Sequence, residues 1–170
     1  MTYARFFSMV AVSTLAMLVL MYANTYRLEH VFFSQTRFWM ALVMGATMAS
    51  IMLAFMLGMY RKRRVNIAIF AGSMVVFCAA LWLVRSQATV SDVSYMEAMI
   101  PHHSIAIMTS ERAHIRDPRV RKLADGIIEA QVREIGEMRE LIAQLKQAPT
   151  PEGAPDLPSY RERGAPPPTQ

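Results

Sequence analysis

The residues best suited to chemistry lie in one run, Met96-Glu97-Ala98-Met99-Ile100-Pro101-His102-His103. Met99 stands three residues before His102 and four before His103, so on a helix the three share a face. His103, Ile107, Glu111 and His114 continue down a neighbouring stripe. Neutral imidazole beside thioether, from Met96 and Met99, suits Cu(I) and Ag(I), and with more imidazole Cu(II). A thioether also binds soft metal without losing a proton. Pro101 removes the backbone bond to the Glu97 carbonyl, so the helix either kinks there or starts there. A His pair at this spacing also serves packing, and the residues alone leave both readings open.

A second helix supplies the next candidates. Val120, Leu123, Ile127, Gln131, Glu134, Met138, Leu141 and Leu145 recur at spacings of three and four and form one stripe. Gln131 and Glu134 interrupt its apolar character. A buried carboxylate without a partner is costly, so Glu134 needs a cation, a hydrogen-bond donor or an edge position; a neighbouring Arg such as Arg112 and a metal are the two cations open to it. Glu111-Arg112-Ala113-His114 matches the Glu-x-x-His element of di-iron bundles, but no second such element exists in the chain. There is no His-Glu-x-x-His, no phosphate-binding Gly-rich loop and no nucleophile elbow. With no complete catalytic constellation, the chain is not expected to be an enzyme.

The elements that position these residues have clear boundaries. Ser91-Asp92 starts a helix that runs to about Ile115. Asp117 is placed to cap the next helix, and Pro118 fits its first position, where no backbone donor is needed. The periodic pattern then runs from Arg119 to about Gln147, where Pro149 and Pro151 close it. Residues 91–147 thus form a helical domain. Residues 148–170 hold seven prolines and no apolar periodicity, and are expected to be disordered.

The first half of the chain is an anchor. Phe6 to Tyr22, Phe38 to Tyr60 and Val65 to Val84 carry no charge, and each approaches the roughly 20 residues of a membrane-crossing helix. The predicted spans are 6–24, 38–60 and 65–84 within an anchor of residues 1–85. Tyr22, Tyr26, Trp39, Tyr60 and Trp82 mark their ends. A cleaved signal peptide is the rival reading of the first span, although Met21-Tyr22-Ala23-Asn24 is a poor cleavage site. Residues 1–85 hold eight Lys/Arg and one acid, Glu29, a net +7, whereas residues 86–170 hold ten Lys/Arg and twelve acids, a net −2. The basic excess therefore belongs to the anchor, and nucleic acid is not an expected partner. Arg61-Lys62-Arg63-Arg64, in a very short loop, and Arg5 outweigh Arg27, Arg37 and Arg85 on the other face. The bias predicts a cytoplasmic amino terminus and a carboxyl-terminal domain in the periplasm or outside a bacterial cell.

Within the second span Met40, Met44, Met48, Met52 and Met56 recur every four residues, followed by Met59. This slanting row could pass soft metal or serve as flexible interface filler. Gly45, Gly58 and Gly72 suggest close helix packing. Cys78 is the sole cysteine and lies in an apolar run, so no intrachain disulfide is possible.

Met99-Ile100-Pro101-His102-His103, then Leu123-Ala124 and Gln131-x-x-Glu134-Ile135-x-x-Met138, closely resemble the domain-of-unknown-function 305 family over about Asp92 to Leu145. The resemblance implies a ferritin-like helical bundle, often extracytoplasmic, with some members binding copper or silver in metal tolerance. It implies His102, His103, Met99 and Met138 as the leading metal ligands. The sequence also departs from the family. Ser104 follows the His pair where many members have Gln, and Met108-Thr109 stands where they have Asp-Met. Met108 could replace the lost thioether, yet on a helix it points about 100° away from that position.

Two helices alone bury little, and small cores are marginal. The expected fold is therefore all-α: three transmembrane helices, then a helical hairpin that completes a four-helix bundle as a homodimer or higher oligomer. Docking of the hairpin on the membrane surface or on the Thr25–Arg37 loop, which bears His30, is the alternative. The expected function is binding of copper or silver by a membrane-tethered domain outside the cytoplasm, with candidate ligands Met96, Met99, His102, His103, Met108, His114, Glu134 and Met138. The alternative is a structural or interaction module of the cell envelope that uses no metal.

Overall fold

A computed structural model describes residues 2–23, 25–151, 153–160 and 162–163. Among these residues the chain forms five α-helices and no strand: α1 Tyr3–Leu20, α2 Gln35–Phe55, α3 Arg63–Ser86, α4 Asp92–Arg112 and α5 Pro118–Gln147. A short 3-10 turn, Leu28–His30, interrupts the connection between α1 and α2.

Helices α1, α2 and α3, of 18, 21 and 24 residues, are long and apolar enough to cross a membrane. Much of their apolar surface is left uncovered by protein, with 6%, 33% and 11% of the α1, α2 and α3 windows buried, as suits helices able to enter lipid. Helix α2 lies between the other two. It meets α1 at Gly45, where a Cβ would come within 2.5 Å of Thr14 Oγ1. Between α1 and α3 runs an open apolar groove of about 750 Å³, floored by Gly45 and Ala49.

The ends of this layer are tied differently. At one end the Tyr60 ring is buried against Tyr3 and Phe6, with centroids 4.9 and 5.6 Å away. Asn66 Nδ2 donates to the Tyr60 carbonyl at 2.7 Å, and Asn66 Oδ1 accepts from the Tyr3 hydroxyl at 2.8 Å. These bonds turn the chain inward, so α2 ends at Phe55 and Met56–Met59 form a turn rather than the predicted end of a helix. The basic cluster Arg61–Arg64 sits at this end. At the other end Ser34 Oγ caps α2 by accepting from the Arg37 amide at 3.2 Å, and the Arg37 guanidinium lies 4.4 Å from the centre of the Tyr22 ring.

Helices α4 and α5 form an antiparallel hairpin at that second end. Ser91 Oγ caps α4 by accepting from the Ser94 amide at 3.3 Å, and Asp117 Oδ1 caps α5 by accepting from the Arg119 amide at 2.8 Å. Helix α4 runs unbroken through Pro101, so it does not start there, and it ends at Arg112 rather than near Ile115. Met96, Ile100, Ile107, Ile135 and Ile142 make the core of the hairpin. Tyr26 and Phe32, from the α1–α2 connection, pack against the same core. That connection covers a second side of α4, which explains why Ile100, Pro101 and Ser104 are almost wholly buried.

The buried stripe of α5 corrects the sequence reading. Ala124, Ile128, Ile135 and Ile142 face α4, whereas Val120, Leu123 and Leu141 are 49%, 66% and 48% exposed. Helix α4 covers the side with small Ala124 and the isoleucines, which leaves Leu123 and Leu141 on an open flank. Residues 148–151, 153–160 and 162–163 adopt neither helix nor strand. The rest of the predicted disordered tail, 152, 161 and 164–170, lies outside the described residues, as does Asn24 in the predicted first span.

Candidate metal-binding seam

Helix α4 aims different candidate residues in three directions. His103 turns toward α5, where its Nδ1 lies 3.5 Å from Glu134 Oε2. That nitrogen is buried and makes no well-aligned hydrogen bond, since the approach is longer than a good N–H···O contact. The His103 side chain is 16% exposed and that of Glu134 42%, so a sheltered imidazole meets a wet carboxylate at the lip of the seam. Glu134 thus answers to His103. Arg112, the partner suggested by the sequence, instead lies 5.8 Å from the centre of the Tyr26 ring.

In the antiparallel register that sets His103 against Glu134, one helical turn along α4 reaches Met99 and one turn along α5 reaches Met138. Both methionines are half-buried, and Met138 packs on the hairpin core. His103, Glu134, Met99 and Met138 therefore follow one seam. Were Glu134 to close on Nδ1 into a hydrogen bond, His103 would keep Nε2 for another partner, the arrangement by which a carboxylate fixes the tautomer of a metal-binding imidazole.

The other candidates fall elsewhere. His102 lies about 100° round α4 from His103. Its edge reaches solvent, but partial burial, then the Arg37 guanidinium and His103, lower its pKa below the usual 6.5. It is therefore neutral at pH 7, the protonation state that binds metal. Met96 belongs to the hairpin core, where its sulfur serves packing. Met108 lies about 140° round the helix from His103 and does not share its face. His114 is exposed in the connector after α4. Among the described residues no three His, Cys, Asp or Glu side chains converge.

Two polar residues in this region escaped the sequence reading as a pair. Ser104 Oγ accepts from the Tyr26 amide at 2.9 Å and lies 2.9 Å from His30 Nδ1. His30 and Ser104 are 7% and 0% exposed, so this is a buried polar joint. Burial, followed by Arg139 and Arg27, lowers the His30 pKa, while Glu29 opposes the shift. The sequence reading offered the loop that bears His30 as an alternative docking surface for the hairpin, but gave His30 no partner on α4.

Five helices, three of them of spanning length, and a polar hairpin with one His-bearing seam define an all-helical protein with a distinct polar domain. The family described as "Domain of unknown function (DUF305)" matches residues 92–167, a stretch that contains this domain. An uncharacterized protein of Acanthamoeba polyphaga mimivirus is 36% identical over 76 residues, covering 44% of this chain and 50% of that protein. The chain thus spans about half the length of this curated relative. No solved structure matches the chain.

Proposed function

We propose that the chain is a membrane-tethered domain that binds a soft metal ion, copper as Cu(I) or silver, at the α4–α5 seam. The observation that carries this reading is the register that aligns His103 with Glu134 and, a turn away, Met99 with Met138. The donor set selects the metal. Two thioethers and an imidazole suit Cu(I) or Ag(I), whereas a site with so few oxygen, nitrogen and thiolate donors does not suit Zn or Mg. Neutral His102, about 100° round α4 from His103, would have to swing toward the seam to join as a fourth ligand. The role is binding, in buffering or tolerance, rather than catalysis.

The location follows the charges. The cluster Arg61–Arg64 lies at the end of the three-helix layer opposite the hairpin, which supports a cytoplasmic amino terminus and a hairpin in the periplasm or at the outer surface of a bacterial inner membrane. A homodimer or higher oligomer remains part of the proposal, and the open α5 flank of Leu123, Ile127 and Leu141 is the face that suits it. A ferritin-like four-helix arrangement would follow from pairing two hairpins across that face.

Anaerobic titration of the full chain in micelles with Cu(I) and Ag(I) tests the reading. One site is expected, with affinity lost in the His102→Ala/His103→Ala double variant and reduced roughly 10- to 100-fold in Glu134→Gln. Equal binding by the wild type and the double variant would sink the metal hypothesis. The competing reading is an envelope module without metal, favoured by the buried Ser104–His30 joint and by His102 beside Arg37. Under that reading the double variant loses stability and no metal affinity.

A further inference from the structure

A small pocket of about 230 Å³ opens where the α1–α2 connection meets α5. Its wall combines Arg27, His30 and Arg139 with Tyr26 and the apolar side chains of Ile107, Val132 and Ile135; no carboxylate lines it, and the nearby Glu111 is engaged by the Tyr26 hydroxyl. We infer that this pocket binds a small carboxylate with a short apolar stem, its head held by Arg27 and Arg139 and its stem against Ile107, Val132 and Ile135. The inference is independent of metal binding.

Three observations carry it. First, Arg139 is fixed before any ligand arrives: its Nη2 donates to the Glu29 carbonyl at 3.0 Å, which leaves further guanidinium donors for a carboxylate. The Glu29 carboxylate, 70% exposed, stands 3.8 Å from Arg139, too loose and wet to neutralise two guanidinium groups. Second, both arginines lower the pKa of His30, so all three basic groups gather at one place. Positive charge over low-dielectric walls focuses potential on an anion. Third, His30 Nδ1 is engaged with Ser104 Oγ. When that hydroxyl donates, the imidazole carries its proton on Nε2 and becomes a further donor to the pocket. Inorganic phosphate would leave the apolar wall unused, and a cation would meet two guanidinium groups.

Gly136 makes the pocket testable. It lines the wall, and a Cβ there would meet nothing within 4 Å, so a larger side chain fills space without displacing the backbone. Leu is also the better helix former. Butyrate would be titrated calorimetrically into the full chain in uncharged maltoside micelles at pH 7.5, with butylamine and inorganic phosphate in parallel. One saturable butyrate site is expected, weakened at least tenfold by Gly136→Leu and by Arg27→Gln, while butylamine shows no saturable binding. Arg27→Gln lies outside the helices and keeps the test valid if Gly136→Leu fails to fold. The inference is overturned by butyrate binding that matches butylamine, by unchanged affinity in both variants, or by phosphate binding without butyrate binding.

Discussion

The imidazole of His30 is buried against Ser104, with Arg139 approaching from α5 and Arg27 and Glu29 from its own connection. Its lowered pKa gives docking a pH dependence whose sign is fixed. An unfolded chain takes up the proton near pH 6.5, whereas the native imidazole resists it to lower pH. Docking is therefore fully stable above about pH 6.5 and weakens as the pH falls through and below that value. His102 adds a loss of the same sign in the same window. The expected outcome is a fall, between pH 7 and 5, in the exchange protection of the Tyr26 amide, which donates to Ser104. His30→Gln should flatten that fall. A protection factor, taken relative to the intrinsic rate at each pH, that stays constant in the wild type would show that His30 does not govern the joint. At this scale spacing placed Met99 and His103 on one face of α4 and Glu134 and Met138 on one stripe of α5, but only the structure set His103 against Glu134. The sequence could not identify Ser104 with His30, because 74 residues separate them and neither has a periodic partner.

Among the elements, α2 is the one on which the anchor depends. Its contact with α1 rests on Gly45 lying beneath Thr14, and no GxxxG pair announced that crossing. Thr14 is short and its Cβ would sit only 3.4 Å from an added Gly45 Cβ, so side-chain rotation gives limited relief. Gly45→Leu should push α1 away and cost about 1–3 kcal/mol, the usual range for overpacking. A lowered thermal midpoint in micelles checks this, and Thr14→Ala combined with Gly45→Ala should recover more stability than the single changes suggest. If Gly45→Leu melts like the wild type, α1 does not cross α2 at that residue. The amino-terminal ends of α4 and α5 were legible because caps are local: Ser91, Asp117 and Pro118 act on backbone within three residues. The end of α2 was not, because Asn66 and Tyr3 hold Tyr60 from other helices.

For the molecule as a whole, the proposed orientation and pairing can be read with single cysteines in a Cys78→Ala background. Thr150→Cys should react with a membrane-impermeant maleimide in intact cells, and Lys62→Cys only after lysis. The reverse pattern would overturn the proposed topology. In the same set, Ile127→Cys on the open α5 flank should cross-link two copies, and Glu140→Cys, about 140° away round the helix, should not. Equal cross-linking of both would remove the flank as the dimer face. The amino-acid sequence by itself determined the three apolar segments, the polar hairpin and the ends of α5, because hydropathy, charge and capping act over a few residues. Tertiary structure decided which stripe of α5 is buried, because two adjacent apolar stripes satisfy the same periodicity and only the approach of α4 selects Ile135 and Ile142 over Leu123 and Leu141. It also decided that the α1–α2 connection covers α4, since that depends on contacts between residues far apart in the chain.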